Sequence, residues 1–264
     1  MSRSRIRAVL VAAAAVLTVG VTACGSDTPA APSSASSGSG VTGTINVFAA
    51  ASLTGAFTRI GKDFEAANPG STVTFNFAGS PALATQINEG APADVFASAS
   101  PATMKTVTDA GNADGAPVVF AKNQLVIAVA KGNPKGITGL SDLTRPDLKV
   151  ALCAEQVPCG AAARKALDAA KVTVRPVTQE QDVKAALSKV KLGEVDAALV
   201  YRTDVKARDA AADVEGVEFP ESAGAINDYP IVVLKNAANK VAAQAFLAYV
   251  RAQGRAVLTA AGFQ

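Results

Sequence analysis

From Gly43 onward, segments with the pattern of β-strands alternate with segments whose apolar residues recur at helical spacing. Strands are expected near 44–48, 72–77, 94–96, 124–130, 148–152, 195–200 and 231–234. Helices are expected near 53–67, 81–88, 101–110, 161–170, 180–191, 203–211 and 238–260. Alternating strands and helices favour a mostly parallel sheet that is covered by helices on both faces. The order therefore predicts an α/β protein.

The first 23 residues have the features of an export signal. Three Arg precede a run of apolar, Thr and Gly residues from Ala8 to Val21. This run is shorter than the roughly 20 residues that a membrane-spanning helix needs. The run leads into Val-Thr-Ala-Cys, and a small residue before Cys24 is similar to a bacterial lipobox. We therefore expect residues 1–23 to be removed and Cys24 to carry a lipid. The alternative is a plain secretory signal with an incidental Cys.

Residues 24–42 are expected to form the lipidated Cys and a flexible tether, because they are rich in Ser, Gly, Ala and Pro and have little to bury. A random coil from 25 to 42 spans roughly 20–25 Å, so the folded part would lie close to a membrane surface. Removing residues 1–23 removes three Arg and no acidic residue, and the formal charge falls from +3 to 0. Without an excess of positive charge, we expect no nucleic-acid partner.

The chain contains no His, which excludes His general bases, Ser-His-Asp triads and His metal sites. Cys153 and Cys159 are expected to form a disulfide in an oxidising compartment, with two free thiols as the alternative. Asp94 is the best lone carboxylate for catalysis, although a structural role in a loop is the favoured interpretation. Since no nucleophile stands at a suitable spacing from a base, we expect no enzyme and no catalytic residue.

Small and hydroxylated residues stand where strands give way to helices. Ser52 and Ser80 are both predicted to be helix N-caps, with Pro81 following the second. Further helix starts are expected after Pro158-Cys159-Gly160 and near Thr178–Asp182. A helix N-terminus attracts anions because its unpaired N–H groups and its positive dipole end point the same way. The alternative is that these are four ordinary capped helices.

Seven segments, taken together, resemble the molybdate-binding proteins of ABC transporters, the ModA family. In chain order they are VFAAASLT (47–54), FAGSPALA (77–84), GAPADVF (90–96), QVPCG (156–160), QDVKAAL (181–187), ALVY (198–201) and YPIV (229–232). The resemblance covers about 43–264, and the order and spacing of the segments make it more specific than any one of them.

This resemblance implies a two-lobed periplasmic-binding-protein fold (type II), with mixed, mostly parallel sheets and a ligand cleft between the lobes. Lobe I is expected at 43–122 and 231–264, and lobe II at 123–230, with crossings near Ala121–Gln124 and Asp228–Ile231. The implied ligand is molybdate or tungstate, and no cofactor or direct metal ligand is needed because the metal is bound as an oxyanion. Five residues are implied to hold the ligand: Ser52, Ser80, Cys159, Val183 and Tyr201.

The resemblance also implies how each of these residues donates a hydrogen bond. The two serines would use the hydroxyl and the backbone N–H, Cys159 and Val183 the backbone N–H, and Tyr201 the hydroxyl. The family often has Ala at the position of Cys159, a change that a backbone donor tolerates. Val183 is unsettled, because a capping box between Thr178 and Gln181 would place its N–H inside a helix.

The expected partners are the oxyanion, the membrane permease of an ABC importer and, through the lipid, the outer face of the cell membrane. We expect the protein to be a monomer. Two rival classes remain open: a binding protein for another oxyanion such as sulfate or phosphate, and an exported enzyme on the same fold.

Overall fold

A computed structural model describes residues 41–264. The expected signal peptide, Cys24 and nearly all of the tether lie outside these residues. Across 41–264, no helix combines the length and the apolar character that a bilayer crossing requires.

Strands and helices alternate along the described residues. The strands are β1 (Gly43–Ala50), β2 (Ser71–Ala78), β3 (Val95–Ala97), β4 (Val118–Asn123), β5 (Leu125–Ala130), β6 (Val150–Cys153), β7 (Thr178–Glu180), β8 (Ala197–Tyr201), β9 (Val214–Val217) and β10 (Asn227–Val233). The helices are α1 (Thr54–Ala67), α2 (Ser80–Asn88), α3 (Pro101–Asp109), α4 (Pro158–Ala170), α5 (Val183–Lys191), α6 (Arg202–Lys206), α7 (Lys240–Arg251) and α8 (Gly254–Ala261). Short 3-10 turns lie at Ala51–Leu53, Leu140–Thr144 and Pro220–Ala225.

The strands form two five-stranded mixed sheets. Sheet A has the order β2-β1-β3-β10-β4, and sheet B has the order β7-β6-β8-β5-β9. In each sheet one strand is antiparallel to both its neighbours, β10 in sheet A and β5 in sheet B. We call sheet A with its helices lobe I, and sheet B with its helices lobe II.

The antiparallel strand of each sheet is the one that arrives from the other lobe. The chain leaves sheet A at Asn123, the end of β4, and enters sheet B at Leu125, the start of β5. It returns from β9 to β10, which pairs with β4 from Asn227 onward, before the predicted boundary at Ile231. A strand that enters a lobe at the cleft must run away from it, whereas the other strands run toward it. The carboxyl ends of those other strands therefore face the cleft, where open α/β sheets bind ligands.

Two expected helices are wrong in part. Residue 180, the expected start of the helix 180–191, belongs to β7, and α5 begins only at Val183 because the Asp182 side chain accepts a hydrogen bond from the Ala185 N–H. The expected helix 203–211 ends at Lys206, after which Ala207 is extended. Three further strands, β4, β7 and β9, are not predicted from the sequence, because they are short or half-exposed and lack a strong apolar pattern.

Candidate anion-binding site

A small cavity of about 10 Å³ lies between the two lobes. It is far smaller than the ~300–1,000 Å³ of pockets that hold drug-sized ligands, so a ligand of that size does not fit. All five residues implied by the sequence resemblance line it, namely Ser52, Ser80, Cys159, Val183 and Tyr201. The fold thus brings together residues that are widely separated along the chain.

Ser52 lies in the 3-10 turn that leads into α1, and its predicted N-cap role is wrong. The turn begins at Ala51, and the Ser52 side chain caps no helix N–H. Its Oγ lies instead 2.9 Å from Oη of Tyr229. Because Ser52 belongs to the first turn, its backbone N–H has no helical acceptor and remains a donor toward the cavity.

Ser80 is the first residue of α2, with Gly79 at the N-cap, so its predicted N-cap position is wrong by one residue. Its Oγ accepts a hydrogen bond of 3.0 Å from the backbone N–H of Ala99. Since the oxygen is used as an acceptor, the hydroxyl proton is left to donate to another group. The side chain is 2% exposed, and the hydroxyl is therefore held in place rather than solvated.

Lobe II contributes two helix starts. Cys159 is the second residue of α4, after Pro158, and Val183 is the first residue of α5. The uncertainty over Val183 is resolved, because Thr178 lies in β7 and bonds Glu180, so no capping box forms there. Backbone N–H groups in the first turn of a helix have no helical acceptor, so both residues offer a free donor.

Tyr201 ends β8 and is 1% exposed. Its Oη lies 2.7 Å from Nδ2 of Asn227, a residue that the sequence analysis did not single out. Burial, followed by the nearby Tyr229 and Asp204, raises the pKa of the Tyr201 phenol well above its ordinary value. The phenol is therefore neutral at physiological pH and can act as a hydrogen-bond donor.

Of residues 41–264, no Lys or Arg is among those that line the cavity. Lys184 follows Val183, but its Nζ lies 3.4 Å from Oδ1 of Asp204. Asp204 is fully buried, and its Oδ2 accepts a hydrogen bond of 3.1 Å from the Tyr201 N–H. Burial raises the pKa of Asp204 to about 6, against the opposing effect of Lys184. Positive potential at the cavity therefore comes from the N-terminal ends of the helices rather than from cationic side chains.

One acidic side chain, Asp182, also lines the cavity. Its Oδ1 accepts a hydrogen bond of 2.9 Å from the Ala185 N–H at the start of α5. Through this bond the Asp182 carboxylate caps the N-terminus of α5, where the helix dipole favours a negative charge. Its charge nonetheless opposes a bound anion, so the neutral donors must outweigh it.

Cys153 at the end of β6 and Cys159 in α4 lie in the geometry of a disulfide, with 5.8 Å between the Cα atoms. The same segment packs closely through Gly160, where a Cβ atom would lie 2.0 Å from the Ala154 carbonyl oxygen. Both features fix the path of the backbone that carries the Cys159 N–H.

Asp94, the lone carboxylate considered for catalysis, has a structural role. It is 1% exposed and accepts hydrogen bonds from the backbone N–H groups of Asn46, Ala238 and Asn239. It thus ties the start of β3 to β1 and to the segment that precedes α7. Within residues 41–264, no cluster of three His, Cys, Asp or Glu side chains is arranged to hold a metal ion.

Tyr229 and Asn227 are the residues at the site that sequence reasoning missed. Tyr229 stands in the YPIV segment, but nothing in that segment indicates that its hydroxyl reaches Ser52, 177 positions away. The strand β10 begins with two polar residues, Asn227 and Asp228, and nothing in its sequence marks Asn227 as a site residue.

Comparison with known proteins gives a family match and several relatives. Residues 45–264 match the family model described as bacterial extracellular solute-binding protein. The chain is 48% identical to the molybdate-binding protein ModA of Mycobacterium bovis over 251 residues, and this alignment covers 94% of each chain. It is 32% identical over 219 residues to the ModA protein of Escherichia coli, covering 79% of this chain and 84% of that protein.

Solved structures share the fold. The periplasmic molybdate-binding protein of Azotobacter vinelandii superposes with a TM-score of 0.71 at 22% identity, covering 83% of this chain and 98% of that chain. The sulfate-binding protein SubI of Mycobacterium tuberculosis superposes with a TM-score of 0.69 at 20% identity, covering 83% of this chain and 86% of that chain. At such identities the likeness concerns the fold alone, and proteins named for two different oxyanions share it.

Proposed function

We propose that this chain, which belongs to the ModA molybdate-binding proteins within the family of bacterial extracellular solute-binding proteins, binds molybdate and tungstate outside the cytoplasm and delivers them to an ABC importer. One observation carries the proposal. Helix N-termini and hydroxyl groups from both lobes surround one compact cavity that is lined by neither Lys nor Arg. Ser52, Ser80, Cys159, Val183 and Tyr201 are the proposed ligand contacts.

The chemistry of these donors suits a doubly charged tetrahedral oxyanion. Hydrogen bonds to a charged acceptor are about twice as strong as neutral ones, and each helix N-terminus adds roughly half a positive charge. An ion that is too small for the cavity leaves buried donors unpaired, at a cost of about 1–3 kcal/mol each. Phosphate is further distinguished by the proton that it carries, since the five proposed contacts act as donors.

Calorimetric titration of a soluble form that starts at residue 25 tests the proposal. We expect one site for molybdate and tungstate, and sulfate binding at least about a hundredfold weaker, which corresponds to two unpaired donors. Phosphate should also bind weakly. Comparable sulfate binding would contradict the proposal and favour the rival assignment to another oxyanion.

The same proposal places the protein on the outer face of the cell membrane, as a monomer anchored through a lipid on Cys24. Mass spectrometry of the protein extracted from membranes should detect an acylated N-terminal Cys24. An unmodified N-terminus beyond residue 24 would indicate simple secretion instead. Restored molybdate uptake on re-expression in a deletion strain, and its loss when the importer permease is deleted, would test delivery.

We further propose that Cys153 and Cys159 are oxidised together in the exported protein, as the 5.8 Å Cα separation permits. Alkylation before and after reduction, followed by intact mass measurement, tests this. The expected result is that both thiols react only after reduction. Two thiols that react without a reductant would refute the bridge.

A further inference from the structure

We propose that Asn227 is a positioning residue, whose amide holds the Tyr201 hydroxyl as a donor to the bound oxyanion and ties lobe I to lobe II. The inference rests on the proposed function, because it assigns a role within the same site. Asn227 does not line the cavity and acts through Tyr201.

The surroundings of the Asn227 amide fix its orientation. Its nitrogen lies 2.9 Å from the Ala99 carbonyl oxygen, 3.2 Å from the Pro158 carbonyl oxygen and 2.7 Å from Tyr201 Oη. Carbonyl oxygens only accept hydrogen bonds, so the amide group that faces them must be the NH₂ and not the oxygen. The two carbonyl oxygens therefore determine which end of the Asn227 amide is the NH₂ group.

This orientation determines the role of the Tyr201 hydroxyl. An amide NH₂ can only donate, so the Tyr201 oxygen must be the acceptor of the 2.7 Å bond. The phenolic proton must then point away from Asn227. Tyr201 lines the cavity, and a proton directed there is placed to meet an anion.

The other phenol near this hydroxyl, Tyr229, is engaged elsewhere. Its Oη lies 2.9 Å from Ser52 Oγ and 3.4 Å from Nδ2 of Asn123. Tyr229 nonetheless raises the pKa of Tyr201, both electrostatically and through a hydrogen bond between the two side chains. The buried Tyr201 phenol is thus a neutral donor whose oxygen accepts from Asn227 and whose proton can go either to the Tyr229 oxygen or to an anion in the cavity.

The three oxygens around the amide, which share its two protons, come from both lobes. Ala99 follows β3 in lobe I, whereas Pro158 begins α4 and Tyr201 ends β8 in lobe II. Asn227 itself begins β10, where the chain returns to sheet A. The amide can meet these acceptors only while the lobes are together, so the same group that orients Tyr201 also favours closure around the ligand.

A double-mutant cycle with molybdate as the probe tests the role. In the parent background, Asn227→Ala should weaken binding about tenfold, which is the loss of one oriented donor. In a Tyr201→Phe background the same substitution should weaken binding by much less, because the hydroxyl it positions is gone. An equal factor in both backgrounds, or parent affinity for Asn227→Ala, would overturn the proposal.

Asn227→Asp gives an independent test with a side chain of the same shape. At neutral pH its carboxylate accepts the Tyr201 proton instead of donating to the oxygen, so it should weaken binding more than Asn227→Ala does. Binding as good as that of Asn227→Ala would contradict the orientation argument. The matched control is Asp228→Asn, which alters only an exposed pair with Lys122 at 3.3 Å and should keep parent affinity.

A tyrosine absorption difference spectrum provides a readout that a purely structural role would not change. The chain has three Tyr and no Trp, so the near-ultraviolet signal reports on tyrosine. Molybdate should produce a difference spectrum in the parent that Tyr201→Phe loses and Asn227→Ala reduces, even when the ligand is saturating. An unchanged spectrum in Asn227→Ala would overturn the inference, whereas a parent that binds no molybdate would overturn the proposed function itself.

Discussion

The two lobes present hydrogen-bond donors to the cavity in different ways. Lobe I offers the hydroxyls of Ser52 and Ser80, each held by one partner, Tyr229 or the Ala99 N–H. Lobe II offers backbone N–H groups at Cys159 and Val183, with the hydroxyl of Tyr201 as its one side-chain donor among the proposed contacts. The lobe I half of the site therefore depends on side-chain identity, while most of the lobe II half depends on the path of the backbone.

The cores of the lobes differ in a corresponding way. In lobe I, Phe246 packs against Phe57, Phe64 and Phe75 with ring centroids 5.4–6.2 Å apart. In lobe II, α4 buries mainly small side chains such as Ala162, Ala163 and Ala166. Small side chains let α4 lie close to sheet B, which together with the Cys153–Cys159 link fixes where its N-terminus points. We infer that lobe I is stabilised chiefly by aromatic packing and that lobe II is shaped for the placement of helix ends.

The largest expected effect is on the stability of lobe I. Phe246→Ala removes the ring that three other aromatic side chains contact, and it should lower the free energy of unfolding by about 3–5 kcal/mol. Urea unfolding measures this. Val241→Ala on the same helix is the control, since Val241 is 72% exposed and its loss should have almost no effect. A loss below about 1 kcal/mol for Phe246→Ala would show that the aromatic cluster does not dominate the core of lobe I.

The second prediction concerns a buried charge in lobe II. The pKa of Asp204 is about 6 in the folded protein against an ordinary 3.8, so the folded state binds the proton more tightly than the unfolded state. The contribution of Asp204 to the free energy of unfolding is therefore greatest at low pH and falls as pH rises from about 3.8 to about 6. The full difference is at most about 3 kcal/mol.

Unfolding measured across this pH range in the parent and in Asp204→Asn isolates that contribution. The variant should lack the part of the slope that lies between the two pKa values, while sharing whatever slope other carboxylates produce. The surface variant Asp109→Asn, which alters an exposed pair with Lys105, should keep the parent slope. Identical slopes for Asp204→Asn and the parent would mean that Lys184 fully compensates the buried carboxylate.

Local patterns in the sequence predicted much of the fold, because most helices and strands carry their own apolar periodicity. The strands β4, β7 and β9 were not predicted, since β7 and β9 are short, β4 is half-exposed, and none has a strong apolar pattern. The predicted helix starts at Ser52, Ser80 and Val183 differ from the observed ones by one to three residues. The reason is that the side chains at these starts form hydrogen bonds that capping preferences in the local sequence do not predict.

The candidate site was predicted through the family resemblance, and its supporting contacts were not. Asn227 meets Ala99 across 128 positions, and Ser52 meets Tyr229 across 177. Both contacts lie within lobe I, and they exist only once β10, which comes late in the chain, has joined sheet A. Sequence patterns that act over a few residues hold no information about them.

The third prediction tests the difference in donor type directly. Ser80→Ala and Tyr201→Phe each remove a hydroxyl donor and leave an oxygen of the anion without its partner, which costs about 1.5–3 kcal/mol. Molybdate affinity should fall roughly tenfold to a hundredfold in a calorimetric titration. Val183→Ala keeps its N–H and should cost far less. If Tyr201→Phe binds as well as the parent while Val183→Ala does not, the assignment of the lobe II contacts is wrong.

The smallest expected effect concerns the contact between the lobes. Gly79 at the start of α2 has φ −58° and ψ 133°, a conformation open to any residue, so Gly79→Ala introduces no backbone strain. A Cβ atom there would lie 2.2 Å from the carbonyl oxygen of Gln181 in lobe II. The lobes must therefore separate slightly to accept it, and overpacking of this kind typically costs about 1–3 kcal/mol.

This cost should appear in ligand binding and not in the fold of either lobe, because the added methyl group meets the opposite lobe. We expect Gly79→Ala to weaken molybdate binding about fivefold or more, while the urea unfolding midpoint without ligand stays near that of the parent. Gly55→Ala is the matched control, since a Cβ atom at Gly55 meets nothing within 4 Å. Full affinity in Gly79→Ala would mean that the ligand-bound protein does not bring Gly79 against Gln181. A lower unfolding midpoint without ligand would mean that the lobes are already pressed together before the ligand arrives, so that closure is a property of the fold rather than of binding.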